Sequence, residues 1–257
     1  MKHRVKTLTL LPMLAFALLM IPLTGPLNAS AASVASSGRT SVATQHFSAP
    51  PLFIKNSQQS VNWSGYAALS GHYTQVSASW TEPSVTCSKT SYAAFWVGLD
   101  GAGSSTVEQT GSDSDCQGVS PVYYAWYEMY PKPPVVISHP VFPGDAMSAS
   151  VTAGTKSSFK LVISDSTQGW TFNTTKTLRS AKLASAEAIA EAPSGPSGVL
   201  PLADFGIVKF SSTMVNGNSI GSFSPVEIVM ATRGGTVKAQ PSALSGGTAF
   251  SVAWKHS

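Results

Sequence analysis

The segment Val122-Tyr123-Tyr124-Ala125-Trp126-Tyr127-Glu128-Met129-Tyr130 is dominated by aromatic and apolar side chains. Residues of this kind favour β-strands, in which successive side chains point to opposite faces. Many short strands separated by turn residues predict an all-β fold, an antiparallel β-sandwich or jelly roll, and not a βαβ fold. Further short apolar segments, bounded by Gly, Pro, Asn and Asp, occur at residues 62–69, 74–80, 92–99, 147–153, 159–164, 169–174, 206–211 and 250–254.

The chain begins with a pattern typical of an export signal. Basic residues at positions 2, 4 and 6 precede an apolar run over residues 8–23, and Ala29-Ser30-Ala31 then offers the small side chains that a signal peptidase requires. A retained membrane anchor is the alternative, but two prolines interrupt the run and it is short for a stable span. We expect residues 1–31 to be a signal peptide and the protein to be secreted.

Residues 32–55 are rich in Ser, Ala and Thr and contain Pro50-Pro51, a composition typical of flexible segments. We expect this part of the chain to be a flexible leader or a short pro-segment. The remaining residues, 56–257, suffice for one β-sandwich domain and are too few for two ordinary domains. We expect this domain to be monomeric.

The composition excludes some functions. Charged residues make up 11% of the chain, far below the fraction that is usual in soluble domains. The formal net charge is +4, but loss of the three basic residues of the signal leaves nearly equal numbers of acidic and basic side chains. A surface with few titratable groups develops little charge imbalance when carboxylates are protonated, so acid costs the folded state less. The chain has no Lys/Arg cluster interleaved with aromatic residues, so we expect no nucleic-acid partner, and no membrane association after signal removal.

Cys87 and Cys116 are the only two cysteines. Export would place them in an oxidising compartment, where a disulfide between them is the simplest interpretation. It would connect the loop after Pro83 to the segment after Gln109 and brace that segment. Neither cysteine has the spacing of a zinc site, so we expect no metal. The histidines outside the signal occur singly and are expected on the surface: His46, His72, His139 and His256.

Two segments carry polar residue types that could serve acid–base chemistry. Val107-Glu108-Gln109-Thr110-Gly111 offers a neutral amide, and Ser185-Ala186-Glu187-Ala188-Ile189-Ala190-Glu191 offers a carboxylate. A carboxylate can take a proton from water, and an amide NH2 can donate a hydrogen bond to an oxyanion. Three more motifs surround them in the chain: Phe95-Trp96-Val97-Gly98-Leu99-Asp100-Gly101, Ala125-Trp126-Tyr127-Glu128-Met129-Tyr130-Pro131 and Leu202-Ala203-Asp204-Phe205-Gly206.

In order and rough spacing these motifs resemble the eqolisins, the acid-acting glutamic peptidases, from residue 62 to residue 210. The resemblance implies a concanavalin-like antiparallel β-sandwich and a secreted endopeptidase that hydrolyses polypeptides in acid without a cofactor. It makes Glu191 the general base and acid acting on water and Gln109 the oxyanion stabiliser. Because strand neighbours alternate in direction, Glu108 is expected on a solvated face. The residues carried over as supporting or substrate-cleft groups are Trp96, Asp100, Glu128 and Glu187.

The chain departs from the family pattern at several positions. Tyr124 stands where the family has an aspartate, and the residues that flank the catalytic glutamate are the small Ala188 and Ala190. These differences bear on subsite preference more than on the chemistry. Glu187 and Glu191 both remain candidates for the catalytic glutamate, and position in the Ala-Glu-x-Ile-x-Glu pattern favours Glu191.

Residues 177–192 support two structural interpretations. The segment is rich in alanine and ends before Pro193, so its propensity predicts a helix. The family resemblance instead makes residues 186–191 a strand. Both alternatives place Glu187 and Glu191 on one side, because a separation of four residues is even in a strand and about one turn in a helix.

Two other functions are compatible with parts of the sequence. Glu128, Glu187 and Glu191, together with abundant tryptophan, would suit a carbohydrate-active or lectin-like β-sandwich with paired carboxylates. Gln109 distinguishes this alternative from a peptidase, because the peptidase mechanism requires an amide donor and glycoside cleavage gives Gln109 no role. Gly217-Asn218-Ser219-Ile220-Gly221 matches the elbow of serine hydrolases, but that elbow needs a strand before it and a helix after it, and its setting here is rich in turn residues.

Overall fold

The computed structural model describes residues 46–54 and 58–257, which form a sandwich built almost entirely of antiparallel strands. The expected signal peptide, residues 1–31, lies outside the described residues. Within those residues, no helix is long and apolar enough to span a membrane. The strands, in chain order, are β1 (Gln59–Ser60), β2 (Trp63–Leu69), β3 (Gln75–Thr81), β4 (Ala94–Leu99), β5 (Val107–Gln117), β6 (Ser120–Tyr130), β7 (Val135–Ile137), β8 (Ala146–Ala153), β9 (Ser158–Asp165), β10 (Trp170–Thr177), β11 (Ser185–Glu191), β12 (Ser194–Gly195), β13 (Gly198–Val199), β14 (Ile207–Val215), β15 (Asn218–Ser219), β16 (Val226–Ala231), β17 (Val237–Pro241) and β18 (Phe250–Trp254).

The main strands form two packed layers that share β16. In the first layer the hydrogen-bonded order is β10-β9-β8-β3-β14-β18-β17-β16, and in the second it is β16-β2-β11-β4-β5-β6-β7. Strands β4 and β5 of the second layer contact β8 and β9 of the first, so the main core lies between the layers. The antiparallel β-sandwich predicted from the alternating apolar segments is therefore confirmed.

The second layer buries side chains on both of its faces. In β4, Phe95, Val97 and Leu99 point into the core between the layers and are fully buried. Burial of side chains of this size stabilises the fold by about 1.5–3 kcal/mol each. Trp96, between them in the chain, points to the opposite face, which we call the outer face. This outer face carries its own apolar cluster, which includes Trp63, Trp126 and Ile189.

Residues 185–191 form strand β11, and the helix predicted from their composition is wrong. The strand lies between β2 and β4 and is hydrogen-bonded on both edges. Helix propensities differ by less than about 1 kcal/mol per residue, so two complete ladders of backbone hydrogen bonds outweigh them. The alanines suit this position, because the side chains of Ala186, Ala188 and Ala190 are fully buried in the core between the layers.

Cys87 and Cys116 form the predicted disulfide, and their Cα atoms are 5.4 Å apart. Cys116 lies near the end of β5, whereas Cys87 lies in the connection between β3 and β4. The bond therefore fixes one end of the strand that carries Gln109.

Candidate active site

The predicted catalytic and cleft residues lie on neighbouring strands of the second layer. Gln109 on β5 pairs with Gly98 on β4 and with Glu128 on β6. Glu191 on β11 pairs with Ala94 on β4, four residues from Gly98. Residues paired across neighbouring strands point to the same face, and so do residues an even number of positions apart in one strand. The side chains of Gln109, Glu128 and Glu191 therefore share the outer face.

Gln109 and Glu128 form a buried, hydrogen-bonded pair, and Glu191 is buried on the same face. Gln109 Nε2 donates a hydrogen bond to Glu128 Oε2 at 2.8 Å. Burial raises the pKa of Glu128 well above its ordinary value, and the charge of Glu191 is the next largest cause. The two carboxyl groups are therefore close enough to influence each other's protonation. Gln109 Oε1 and Glu128 Oε1 have no hydrogen-bond partner among the described residues, so both side chains retain hydrogen-bonding capacity.

Glu191 is fully buried and surrounded by donors. Burial raises its pKa to about 7, while hydrogen bonds from Ala49, Ser48, Trp96 and Asn62 act in the opposite direction. Trp96 Nε1 donates to Glu191 Oε2 at 2.8 Å, and the backbone N–H of Ala49 donates to Oε1 at 3.0 Å. These donors stabilise the carboxylate, which is the form that a general base requires.

The indole of Trp96 separates Glu187 from Gln109. Glu187 on β11 and Gln109 on β5 both pair with Gly98, which lies between them on β4. The indole lies over Gly98, where a Cβ atom would meet Trp96 Cζ3 at 2.9 Å and Gln109 Cβ at 3.1 Å. The Trp96 indole thus donates a hydrogen bond to Glu191 and lies between Glu187 and the amide of Gln109.

Glu187 belongs to a second group of buried carboxyls, with Asp100 and Glu108. Asp100 accepts hydrogen bonds from the backbone N–H groups of residues 182–184 at 2.7 to 2.9 Å and so holds the turn that leads into β11. Burial raises the pKa of Glu187 well above its ordinary value, and burial together with the charge of Asp100 raises that of Glu108 to about 9. The expectation that Glu108 lies on a solvated face is wrong, because β5 is covered on both faces and Glu108 is fully buried.

Residues 46–50, which the sequence did not mark as site residues, lie against the same group. Ala49 is the donor to Glu191 described above, and its carbonyl accepts hydrogen bonds from Trp63 Nε1 at 2.8 Å and Asn62 Nδ2 at 3.2 Å. His46, Ser48 and Ala49 are buried. The expectation that His46 lies on the surface is therefore wrong.

His46 belongs to a compact polar cluster, the His46 cluster, with Asp113, Asp115 and Tyr124. Its Nε2 lies 3.3 Å from Asp113 Oδ2, 3.1 Å from Asp115 Oδ2 and 2.7 Å from the Tyr124 hydroxyl. Hydrogen bonding to Asp115 and the charges of both aspartates raise the pKa of His46 to about 9, against the effect of burial. The imidazole is therefore protonated at neutral pH and forms an ion pair.

The His46 cluster is also the one group of three potential metal ligands found among the described residues, since the ligand atoms of His46, Asp113 and Asp115 lie within 4.8 Å of one another. These atoms already satisfy one another, and none of them is among the unpartnered buried atoms of the described chain. The donor set therefore fits an ion pair without a cation. The only sequence feature that indicated this cluster is Tyr124, which stands where the family has an aspartate. Its hydroxyl lies within hydrogen-bond distance of both Asp113 and Asp115.

Ser219 does not lie in a nucleophile elbow. It ends the two-residue strand β15 and is followed by a 3₁₀-helix, Ile220–Phe223, and not by an α-helix. Its hydroxyl lies 2.8 Å from the hydroxyl of Ser222. A serine nucleophile instead needs a hydrogen bond to a base.

Known proteins share this fold and parts of this sequence. The sequence profile of the Peptidase A4 family matches residues 61–254. Aspergillopepsin-2 from Aspergillus niger is 27% identical over 193 residues, which cover 65% of this chain and 68% of that protein. Scytalidopepsin B from Scytalidium lignicola is 33% identical over 110 residues, but these cover only 42% of this chain and 41% of the relative. The crystal structure of scytalido-glutamic peptidase with a transition state analog inhibitor superposes with a TM-score of 0.67 at 25% identity, covering 76% of this chain and 98% of the other.

Proposed function

Because the chain belongs to the Peptidase A4 family, we propose that it is a secreted, acid-acting endopeptidase whose catalytic pair is Glu191 and Gln109. Family membership makes the protein a glutamic endopeptidase that acts on polypeptides. The observation that carries the choice of residues is the buried group on the outer face. In that group Gln109 donates to Glu128, and Glu128 in turn responds to the charge of Glu191.

Each member of the group supplies one part of peptide hydrolysis. Glu191 takes a proton from a water molecule as that water attacks the carbonyl carbon, and then gives the proton to the leaving nitrogen. Gln109 donates an N–H to the developing oxyanion. Its amide is oriented for this by Glu128, which accepts one of the two amide hydrogens and leaves the other free to donate. The Trp96 indole over Gly98 and the neighbouring carboxyls of Asp100 and Glu108 favour Glu191 over Glu187 for these roles.

The pH range of activity follows from Glu191. Its pKa of about 7 reflects burial, which outweighs the hydrogen bonds that lower it. When water enters the site with a peptide substrate, it lowers the cost of the charge, while Trp96 and Asn62 still stabilise the carboxylate. A base is active only above its pKa, so this fall in pKa extends activity into acid. Loss of both protons from Glu128 and Glu191 would put two charges beside the oxyanion, so activity falls as the pH rises.

The test is a pH–rate profile on an acid-denatured protein substrate, with release of new amino termini as the readout. Glu191→Gln removes the proton acceptor, so turnover should be lost at every pH. Gln109→Ala should lower turnover by roughly 10²–10³, the usual cost of one missing oxyanion donor. Glu187→Gln is the matched control, because it removes an equally buried carboxylate on the same strand and should leave the chemistry in place.

Activity in Glu191→Gln together with its loss in Glu187→Gln would assign the chemistry to the other glutamate. Release of reducing sugar from a polysaccharide, without new amino termini, would favour the carbohydrate-active alternative. Secretion is tested separately, by the amino-terminal sequence of the protein recovered from culture medium. A chain that begins after residue 31 would support export by the signal peptide.

A further inference from the structure

Three basic side chains line an open pocket of about 540 Å³, which we call the Lys238 pocket. Lys238 lies on β17, Arg233 in the turn between β16 and β17, and Lys89 in the connection between β3 and β4. Among the residues that the structure describes, no Asp or Glu side chain lines this pocket. Positive charge from separate parts of the chain therefore converges on one space, which favours an anionic ligand.

Lys238 is a buried cation without a counter-charge. The residue is only 7% exposed. Ion pairs in the described part of the chain involve His46 alone, so neither an acidic side chain nor the carboxyl group of Ser257, which also lines the pocket, pairs with the Lys238 ammonium. Burial lowers the pKa of Lys238, and no charge or hydrogen bond of a neighbouring group offsets this effect. A buried charge is costly until a partner neutralises it, so the ammonium is suited to an anion that enters the pocket.

The backbone holds Lys238 in place. Its carbonyl accepts hydrogen bonds from the backbone N–H groups of Lys255 at 2.8 Å and His256 at 3.1 Å. The next residue, Ala239, pairs with β16 on one side and with β18 on the other. The ammonium is thus carried by a strand that is fixed on both edges, and ligand binding needs no ordering of this backbone.

Apolar side chains complete the lining of the Lys238 pocket. They include Leu52 and Val61 from the chain before β2, and Leu200 from the loop after β13. An inorganic anion has no apolar surface to bury against them. An acidic amino-acid side chain carries methylene groups beside its carboxylate and can use both parts of the lining.

The Lys238 pocket adjoins the proposed catalytic glutamate. The backbone N–H of Leu52 donates to Asn62 Oδ1 at 2.8 Å, and Asn62 Nδ2 lies 3.4 Å from Glu191 Oε1. On the loop after β13, the backbone N–H of Leu200 donates at 2.9 Å to the carbonyl of Pro193, which is two residues after Glu191. Two lining residues are therefore hydrogen-bonded to neighbours of Glu191, so one extended peptide can reach both places.

We propose that the Lys238 pocket binds the carboxylate of an acidic residue in a peptide substrate. The inference rests on the proposed function for the claim that the bound peptide is a substrate, whereas carboxylate binding stands without it. Nearby cations stabilise the ionised form of a carboxyl group, so the bound residue keeps its charge further into acid than a free one.

The first experiment measures binding without any use of activity. N-acetylglutamate α-amide and N-acetylglutamine α-amide differ in one side-chain charge, and at about pH 5 a glutamate with a pKa of about 4.3 is mostly ionised. Each compound is titrated into the full-length protein, with the NMR methyl signals of Leu52 and Val61 as the readout. We expect the glutamate compound to bind about tenfold more tightly, the lower value for a hydrogen bond to a charged group.

Variants assign this preference to Lys238. Lys238→Met should abolish it, because methionine fills the buried position without a charge, and Lys238→Arg should retain it. Lys209→Met is the matched control, since Lys209 is exposed and outside the pocket, and it should retain the preference. Equal affinity for the two compounds in the unmodified protein would overturn the proposal. Displacement of the glutamate compound by inorganic phosphate at a similar concentration would show a general anion site and overturn the assignment to a peptide carboxylate.

The second experiment tests the role in substrate selection. In a set of peptides in which each position in turn carries Glu or Gln, kcat/KM should be about tenfold higher for Glu at one position, and Lys238→Met should remove that difference. Cleavage without any Glu preference in the unmodified protein would refute the role in substrate binding. If no peptide is cleaved while the glutamate compound still binds, the proposed function fails and the carboxylate site stands.

Discussion

Replacement of Trp96 by phenylalanine tests the link between the outer face and the pH range of activity. The indole Nε1 donates to Glu191 Oε2 at 2.8 Å and lies in a site where Glu191 is fully buried. Phenylalanine keeps an aromatic ring beside Gly98 and removes this donor. Since the donor stabilises the carboxylate and not the acid, its loss raises the pKa of Glu191.

The expected magnitude follows from the strength of the bond. A hydrogen bond to a charged group contributes about 1.5–3 kcal/mol, and one pH unit corresponds to about 1.4 kcal/mol. Water entering the space left by the indole would recover part of this, so the lower end applies. We therefore expect the acid limb of kcat/KM to move up by about one pH unit in Trp96→Phe, because the base must be deprotonated to act.

The assay is the pH dependence of kcat/KM on a peptide substrate, which reports the ionisation of the free enzyme. Trp63→Phe is the matched control, because Trp63 packs edge-on against Trp96 with ring centroids 4.8 Å apart but donates its N–H to the backbone carbonyl of Ala49. Its acid limb should stay in place. An unmoved acid limb in Trp96→Phe, or equal movement in both variants, would refute the assignment of Glu191 as the base.

Three further predictions concern stability and the shape of the site. Gly98→Ala should lower turnover and destabilise the fold by about 1–3 kcal/mol, because its Cβ would press on Trp96 and Gln109. Chemical denaturation and rate measurements check this. The control Gly234→Ala should be tolerated, because only Thr232 Oγ1 lies near the added Cβ, at 3.8 Å. The folded chain keeps Glu108 protonated up to a pKa of about 9, so the free energy of unfolding should fall as the pH rises from about 5 to 9, and Glu108→Gln should flatten that fall in denaturation curves. Replacement of both Cys87 and Cys116 by serine should lower the free energy of unfolding by about 2–4 kcal/mol, measured by urea denaturation; an unchanged value would show that the bond does not restrict the unfolded chain.

The family and the catalytic candidates were accessible from the sequence because they depend on local patterns. The alternation in residues 122–130 predicted strand β6, and the even spacing of Glu187 and Glu191 placed both on one face whether the segment was helix or strand. The pairing of Cys87 with Cys116 needed no structure, since the chain has no other cysteine.

The choice of β11 as a strand was decided by the tertiary structure. Alanine-rich sequences favour helices locally, and only the presence of β2 and β4 on either side makes the extended form better hydrogen-bonded. The burial of Glu108 has the same origin. Strand alternation correctly places Glu108 and Gln109 on opposite faces of β5. The packing of the other layer against β5 decides that the face of Glu108 is buried and not solvated.

The strand pattern, the family and the candidate residues for peptide hydrolysis could all be predicted from the sequence, because each depends on short-range order along the chain. Which carboxyls lie near one another became visible in the folded molecule alone. The Trp96 ring over Gly98 separates Glu187 from Gln109, and the coil of the chain before β1 brings His46 to Asp113 and Asp115, 67 and 69 residues away. Such contacts join groups that are far apart in sequence. They depend on burial and charge in the folded molecule, and no local sequence pattern predicts them.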